Sequence, residues 1–127
     1  MRTTLGLVAA TALALSLASP AQAETMSYDL FVDDAPEVRS ESVTGSLRSV
    51  VLECGPAAGE HPRAEEACDL IEKAGGRVSD VEAGTNDLCT MEYRPVSVIA
   101  VGGGERYEET FGNGCLLSVA KGAVFDF

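Results

Sequence analysis

The chain is 127 residues long, carries 20 acidic against 9 basic side chains and has a formal net charge of −11, with 46% hydrophobic residues and no tryptophan. That length suits one domain with a modest core and leaves little room for two. The acidity argues against nucleic acid and against an anionic membrane surface as partners, because both would be repelled.

Met1-Arg2-Thr3-Thr4 opens the chain, followed by an apolar run from Leu5 to about Ala18, then Pro20 and Ala21-Gln22-Ala23. A basic start, a short apolar stretch and an A-x-A site form the pattern of a secretory signal peptide. The run is shorter than the roughly 20 residues that span a hydrocarbon core. Residues 1–23 are therefore expected to be removed, leaving 24–127 as one secreted, extracellular domain. All four cysteines, Cys54, Cys68, Cys89 and Cys115, fall in that part. An even count in a small exported chain predicts two disulfides, and spacing leaves three connectivities open. No two cysteines form a C-x2-C pair, so the pattern predicts no metal site.

Ser27-Tyr28-Asp29-Leu30-Phe31-Val32 is rich in β-forming residues and stops at Asp33-Asp34-Ala35-Pro36, which predicts a first strand. Residues 37–46 read as a polar loop. Leu47-Arg48-Ser49-Val50-Val51-Leu52-Glu53-Cys54 predicts a second strand, ended by Gly55-Pro56. Gly59-Glu60-His61-Pro62 is a cluster of breakers. Beyond it Ala64, Ala67, Cys68, Ile71 and Ala74 recur at helical spacing, with charges largely elsewhere, so an amphipathic helix should lie on a sheet. Pro62 suits its first turn and Gly75-Gly76 its end. Val78 and Val81 are candidate anchors of a short helix. In Val96-Ser97-Val98-Ile99-Ala100-Val101 both faces are mostly apolar, which predicts a strand placed centrally in a sheet. Gly102-Gly103-Gly104 turns it into a hairpin with Glu105-Arg106-Tyr107-Glu108-Glu109-Thr110-Phe111. After Gly112-Asn113-Gly114, the runs at 115–119 and 123–127 are counted with the strands. The sum is an α+β layer architecture of about five antiparallel strands with one or two helices on one face.

Catalysis finds little support. The single histidine, His61, stands beside Pro62 at a helix entry, where a packing role is expected, and no G-x-S-x-G elbow occurs. Glu65 and Glu66 are helical neighbours that point apart, unlike the facing carboxylates of a glycosidase. The triple glycine lacks the spacing and the strand-to-helix setting of a dinucleotide loop. No catalytic residue and no cofactor is expected.

Cys89-Thr90-Met91-Glu92-Tyr93-Arg94-Pro95 reads as an exposed segment pinned by a cysteine at one end and a proline at the other. A pinned, extended segment is what a protease accepts as substrate. Its surroundings carry a family resemblance. Gly59-Glu60-His61-Pro62-Arg63-Ala64-Glu65-Glu66-Ala67-Cys68 resembles the G-x-H-P-x-A-x-x-A-C segment of the subtilisin inhibitor-like family, secreted protease inhibitors of Streptomyces and its relatives. Cys89-Thr90-Met91-Glu92-Tyr93-Arg94-Pro95-Val96 is similar to that family's reactive-site run, C-x-M/K-x-Y-x-P-V. Phe111-Gly112-Asn113-Gly114-Cys115 and Val124-Phe125-Asp126-Phe127 resemble its F-x-N-x-C and closing V-F-x-F.

The resemblance implies disulfides Cys54–Cys68 and Cys89–Cys115. It implies a substrate-like inhibitor of subtilisin-type serine proteases, not an enzyme, in which Met91 is P1, the residue entering the protease's S1 pocket, and Glu92 is P1′. Leu88 and Thr90 then fall at P4 and P2, with Asn113, Tyr93 and Pro95 supporting the loop. It also implies a homodimer formed by face-to-face sheets. The chain departs from the family in having Thr90 where proline is common at P2, a charge at P1′, and a shorter hairpin after the central strand with no tryptophan. A different class of reading is an extracellular binding or structural protein on the same scaffold, such as a metalloprotease inhibitor or a cross-linking substrate.

Overall fold

The computed structural model describes residues 25–36, 47–84 and 87–127. The expected signal peptide and the polar loop at 37–46 lie outside them. Strands β1 (Met26–Asp33), β2 (Leu47–Cys54), β3 (Ala58–Gly59), β4 (Val96–Gly102) and β5 (Glu105–Phe111) form one antiparallel sheet in the order β3-β2-β1-β4-β5. Helix α1 (Ala64–Lys73), a 3-10 turn at Val78–Asp80, helix α2 (Gly114–Lys121) and a closing 3-10 turn at Gly122–Phe125 supply the second layer. The α+β class, the five strands and both disulfides agree with the sequence reading.

Alternation along the strands decides what is buried. Tyr28, Leu30 and Val32 of β1 point inward with Leu52 of β2 and Val96, Val98 and Ala100 of β4, against Ala67 and Ile71 of α1, Leu117 of α2, and Val124 and Phe125. Leu30, Leu52, Ile71 and Val98 are at most 1% exposed, and burial of each such side chain contributes about 1.5–3 kcal/mol. Val78 and Val81 are buried as the anchors of the 3-10 turn. His61 is a packing residue: its Nδ1 accepts from the Arg63 N–H at 2.9 Å and its Nε2 lies 2.9 Å from the Val124 carbonyl. Pro62 precedes the helix N-cap, Arg63, rather than standing in the first turn. At the other end Gly76 N–H donates to Ile71 at 2.8 Å and Gly75 N–H to Glu72 at 3.0 Å. This Schellman closure requires the left-handed φ of 74° at Gly75.

Three expectations need correction. The runs at 115–119 and 123–127 are helix α2 and a 3-10 turn, and the fifth strand is instead the two-residue β3 at the start of the breaker cluster. Leu117 and Lys121, one helical turn apart, both face the core, which fixes the helical form. The centre of the sheet is β1, with β4 beside it. The outer face of β4 is uncovered in a single chain: Ser97 and Ile99 are half-buried and Val101 is exposed. Phe31 pairs with Ile99 on that outer face, and Asp29 with both Val51 and Val101.

Candidate functional site

Residues 87–95 cross from the second layer to β4 without regular structure. Leu88 is 99% exposed, Met91 92% and Tyr93 68%. Three large apolar or aromatic side chains in solvent on one segment of a small protein mark a binding surface. The backbone beneath them is held by one short stretch, the turn after β5 and the first turn of α2. Cys115 binds Cys89 covalently. Asn113 Nδ2 donates to the Thr90 carbonyl at 3.1 Å and to the Glu92 carbonyl at 2.9 Å, one on each side of Met91. The Arg94 N–H donates to the Gly112 carbonyl at 2.8 Å, continuing the β4–β5 pairing past Val96 and its partner Phe111. Pro95, half-buried, then leads into β4.

Asn113 holds two structures at once. Its Oδ1 accepts the Leu116 N–H at 2.9 Å as the N-cap of α2, which leaves both N–H groups of the amide for the loop. The partner types fix the amide orientation, since an Oδ1 turned to face two carbonyl oxygens would be repelled. The residue is 8% exposed, so these bonds are largely shielded from competing water. Met91 therefore projects from a backbone clamped on either side, with its own peptide bond to Glu92 left uncovered. At the surface Arg94 Nε lies 3.0 Å from Glu92 Oε1, so the Glu92 carboxylate carries its own counter-ion.

Sequence reasoning passed over the base of this arrangement. Lys121 is buried, and its ammonium donates to the carbonyls of Val78 at 3.1 Å, Ser79 at 3.0 Å and Val81 at 3.0 Å, while standing 4.9 Å from the Tyr107 ring centroid. Burial pushes its pKa down, and nearby Glu109, Asp80, Glu105 and Glu82 oppose that only in part. The Ala83 N–H donates to Ala120 at 3.0 Å. Segment 78–83 is thus fastened to the C-terminal end of α2, as the exposed loop is fastened to its N-terminal end. Glu105 accepts from Ser79 N–H at 3.0 Å, Ser79 Oγ at 2.7 Å and Arg77 at 3.0 Å. Burial raises its carboxyl, but those donors outweigh it and hold the pKa below the usual carboxylate range. A lysine before a glycine looks like turn chemistry, and only the helical reading of 114–121 would have turned Lys121 inward.

Among the described residues no three His, Cys, Asp or Glu side chains gather as a metal site, and no helix is long and apolar enough to cross a membrane.

The family model described as "Subtilisin inhibitor-like" matches residues 35–113. The chain belongs to the subtilisin inhibitor-like family. It is similar to Subtilisin inhibitor-like protein 2 of Streptomyces rochei, 42% identical over 94 residues, covering 69% of this chain and 82% of that one. It is similar to the Subtilase-type protease inhibitor of Streptomyces coelicolor, 39% identical over 120 residues, with 88% and 83% covered. Among solved structures it resembles Streptomyces caespitosus sermetstatin, determined in complex with Bacillus licheniformis subtilisin. That likeness has a TM-score of 0.61 at 26% identity and covers 82% of this chain and all of the other. The family is one of protease inhibitors rather than enzymes, and the pairing Cys54–Cys68 with Cys89–Cys115, implied by the motifs, is the pairing of the structure.

Proposed function

We propose that the protein is a secreted, substrate-like inhibitor of subtilisin-type serine proteases that presents Met91-Glu92 as its reactive bond. The observation that carries this is the pair of Asn113 hydrogen bonds on either side of Met91, beside the Cys89–Cys115 bridge. An attacking serine would form an acyl-enzyme at the Met91 carbonyl carbon and release the amine of Glu92. In a free peptide that amine diffuses away. Here the acyl side is held by Cys89 and by the bond to Thr90, the amine side by the bonds at Glu92 and Arg94, and both sets of partners lie within residues 112–115. The amine stays at attack distance, so resealing outruns hydrolysis. A loop already in its bound shape also avoids ordering costs of about 0.5–1.5 kcal/mol per side chain. Met91 at P1 and Leu88 at P4 are apolar and exposed, ready to fill apolar S1 and S4 pockets. Thr90 at P2 contributes its carbonyl to the clamp.

The sheet face carrying Phe31, Ile99, Val51 and Val101 supports a homodimer, since a second copy supplies a matching apolar face by symmetry. The basic start, apolar run and A-x-A site support removal of residues 1–23 and an extracellular location.

Stoichiometric titration of residues 24–127 against subtilisin, chymotrypsin and trypsin tests the proposal. One protease site lost per inhibitor chain for subtilisin is the expected result. Subtilisin left fully active at micromolar inhibitor would refute it.

A further inference from the structure

We infer that Met91 is an oxidation site through which a peroxide-class oxidant switches the inhibitor off, an inference that rests on Met91 being P1. Among the described residues methionine occurs at 26 and 91, in contrasting settings. Met26 is 39% exposed, packs against Gly76, and its thioether lies 3.7 Å from the hydroxyl of the fully buried Tyr28. Met91 is 92% exposed, on a segment whose backbone is fastened at Thr90 and Glu92, so its sulfur cannot retreat into the protein by a loop movement. Oxidant access therefore favours Met91.

The step is a two-electron transfer. The thioether lone pair attacks one peroxide oxygen, the O–O bond breaks, an S–O bond forms, and the second oxygen leaves as water after taking up a proton. Sulfur is oxidised and the peroxide reduced. The product carries a strongly polar S–O group on the side chain meant for an apolar pocket. In the pocket that oxygen loses its water and finds no donor. The clamp is untouched, because Asn113 bonds the backbone of the neighbouring residues, so the oxidised protein keeps its fold and loses its fit. The expected change is an inhibition constant raised by about one to two orders of magnitude, the size of a lost P1 burial.

The test treats wild type, Met91→Leu and Met26→Leu with graded hydrogen peroxide, maps oxygen uptake by peptide mass and titrates subtilisin at each stage. The inference expects Met91 to take up oxygen before Met26 and inhibition to fall in step with it. Met91→Leu, whatever its own inhibition constant before treatment, should show no change in it afterwards, Met26→Leu should lose inhibition as wild type does, and methionine sulfoxide reductase should restore the wild type. Equal uptake at the two methionines, full inhibition by the Met91 sulfoxide, or equal loss in Met91→Leu would overturn it while leaving the proposed function intact. A wild type that fails to inhibit before any peroxide is added would overturn the functional reading, and this inference with it.

Discussion

Asn113 Nδ2 lies 2.9 Å from the carbonyl oxygen of Glu92 while Oδ1 of the same amide caps helix α2, so one side chain ties the exposed loop to a helix start. The two roles separate on substitution. Asn113→Asp keeps an oxygen for the Leu116 N–H but sets a second oxygen against the carbonyls of Thr90 and Glu92. The helix cap survives, so the fold should persist with its thermal midpoint lowered by about 5–20 °C, the size of the two lost bonds. With two bonds of about 0.5–1.5 kcal/mol each removed, cleavage of Met91-Glu92 by catalytic subtilisin, followed by intact mass, should quicken about ten- to a hundredfold. Asn113→Ala should add a cap loss of about 1 kcal/mol. Unchanged cleavage in both variants would exclude the clamp.

Met91 should dominate specificity. Met91→Gly removes burial worth about 1.5–3 kcal/mol and should weaken subtilisin inhibition by about one to two orders of magnitude. Met91→Lys should confer trypsin inhibition, because an ammonium pairs with the carboxylate in that enzyme's S1 pocket. N-terminal analysis of slowly cut inhibitor should show a single new terminus at Glu92. A new terminus elsewhere would move the reactive bond.

The Cys89–Cys115 bridge ties down the exposed loop two residues before Met91. A Cys89→Ser, Cys115→Ser variant should lose about 2–4 kcal/mol of stability. Under conditions where it remains folded, it should be consumed as a substrate, seen as recovery of protease activity over hours. Inhibition of undiminished lifetime would show that the bridge serves the fold alone.

Glu105 sets an acid limit. Its folded pKa is depressed, so its contribution is complete above the unfolded value of about 4.3 and is lost as pH falls from there through the folded value. Urea midpoints measured between neutral and strongly acid pH should fall less steeply for Glu105→Gln than for wild type, with the curves converging at the acid end. Parallel curves would mean that its bonds to Ser79 and Arg77 carry no linkage.

Ile99 faces outward beside Phe31, so Ile99→Lys leaves the core intact while placing like charges against each other in a paired sheet. Sedimentation should show a dimer for wild type at micromolar concentration and a monomer for the variant. A wild-type monomer would leave that face without a second copy.

Legibility followed the strength of local periodicity. The β-forming residues of β1 with the turn signal after it and the 3.6-residue spacing in α1 made those elements readable, and Gly75-Gly76 marked the helix end. Helix α2 was hidden because Gly-Cys-Leu-Leu-Ser-Val-Ala-Lys has β-prone residues and sits between glycines. Asn113 followed by Leu117 and Lys121 was the available signal, an N-cap and an i, i+4 pair. Strand β3 is two residues whose pairing with Leu52 and Glu53 is set by the neighbouring chain. The loop was legible through its motif. Asn113 was legible as a support only through the family motif; its bonds to the Thr90 and Glu92 carbonyls, and the Gly112 carbonyl that takes the Arg94 N–H, join positions 18 to 23 residues apart, which no local pattern encodes.

The clamp on the loop lies downstream of it in the chain, at Gly112, Asn113 and Cys115. During synthesis the amino-terminal part is made first, so the Met91-Glu92 bond precedes the residues that hold its flanks. Without those residues the segment has none of the bonds that hold its backbone at Cys89, Thr90, Glu92 and Arg94. The protection of this bond is therefore encoded entirely in residues made after it, and a chain truncated before Gly112 would carry the exposed segment without its clamp.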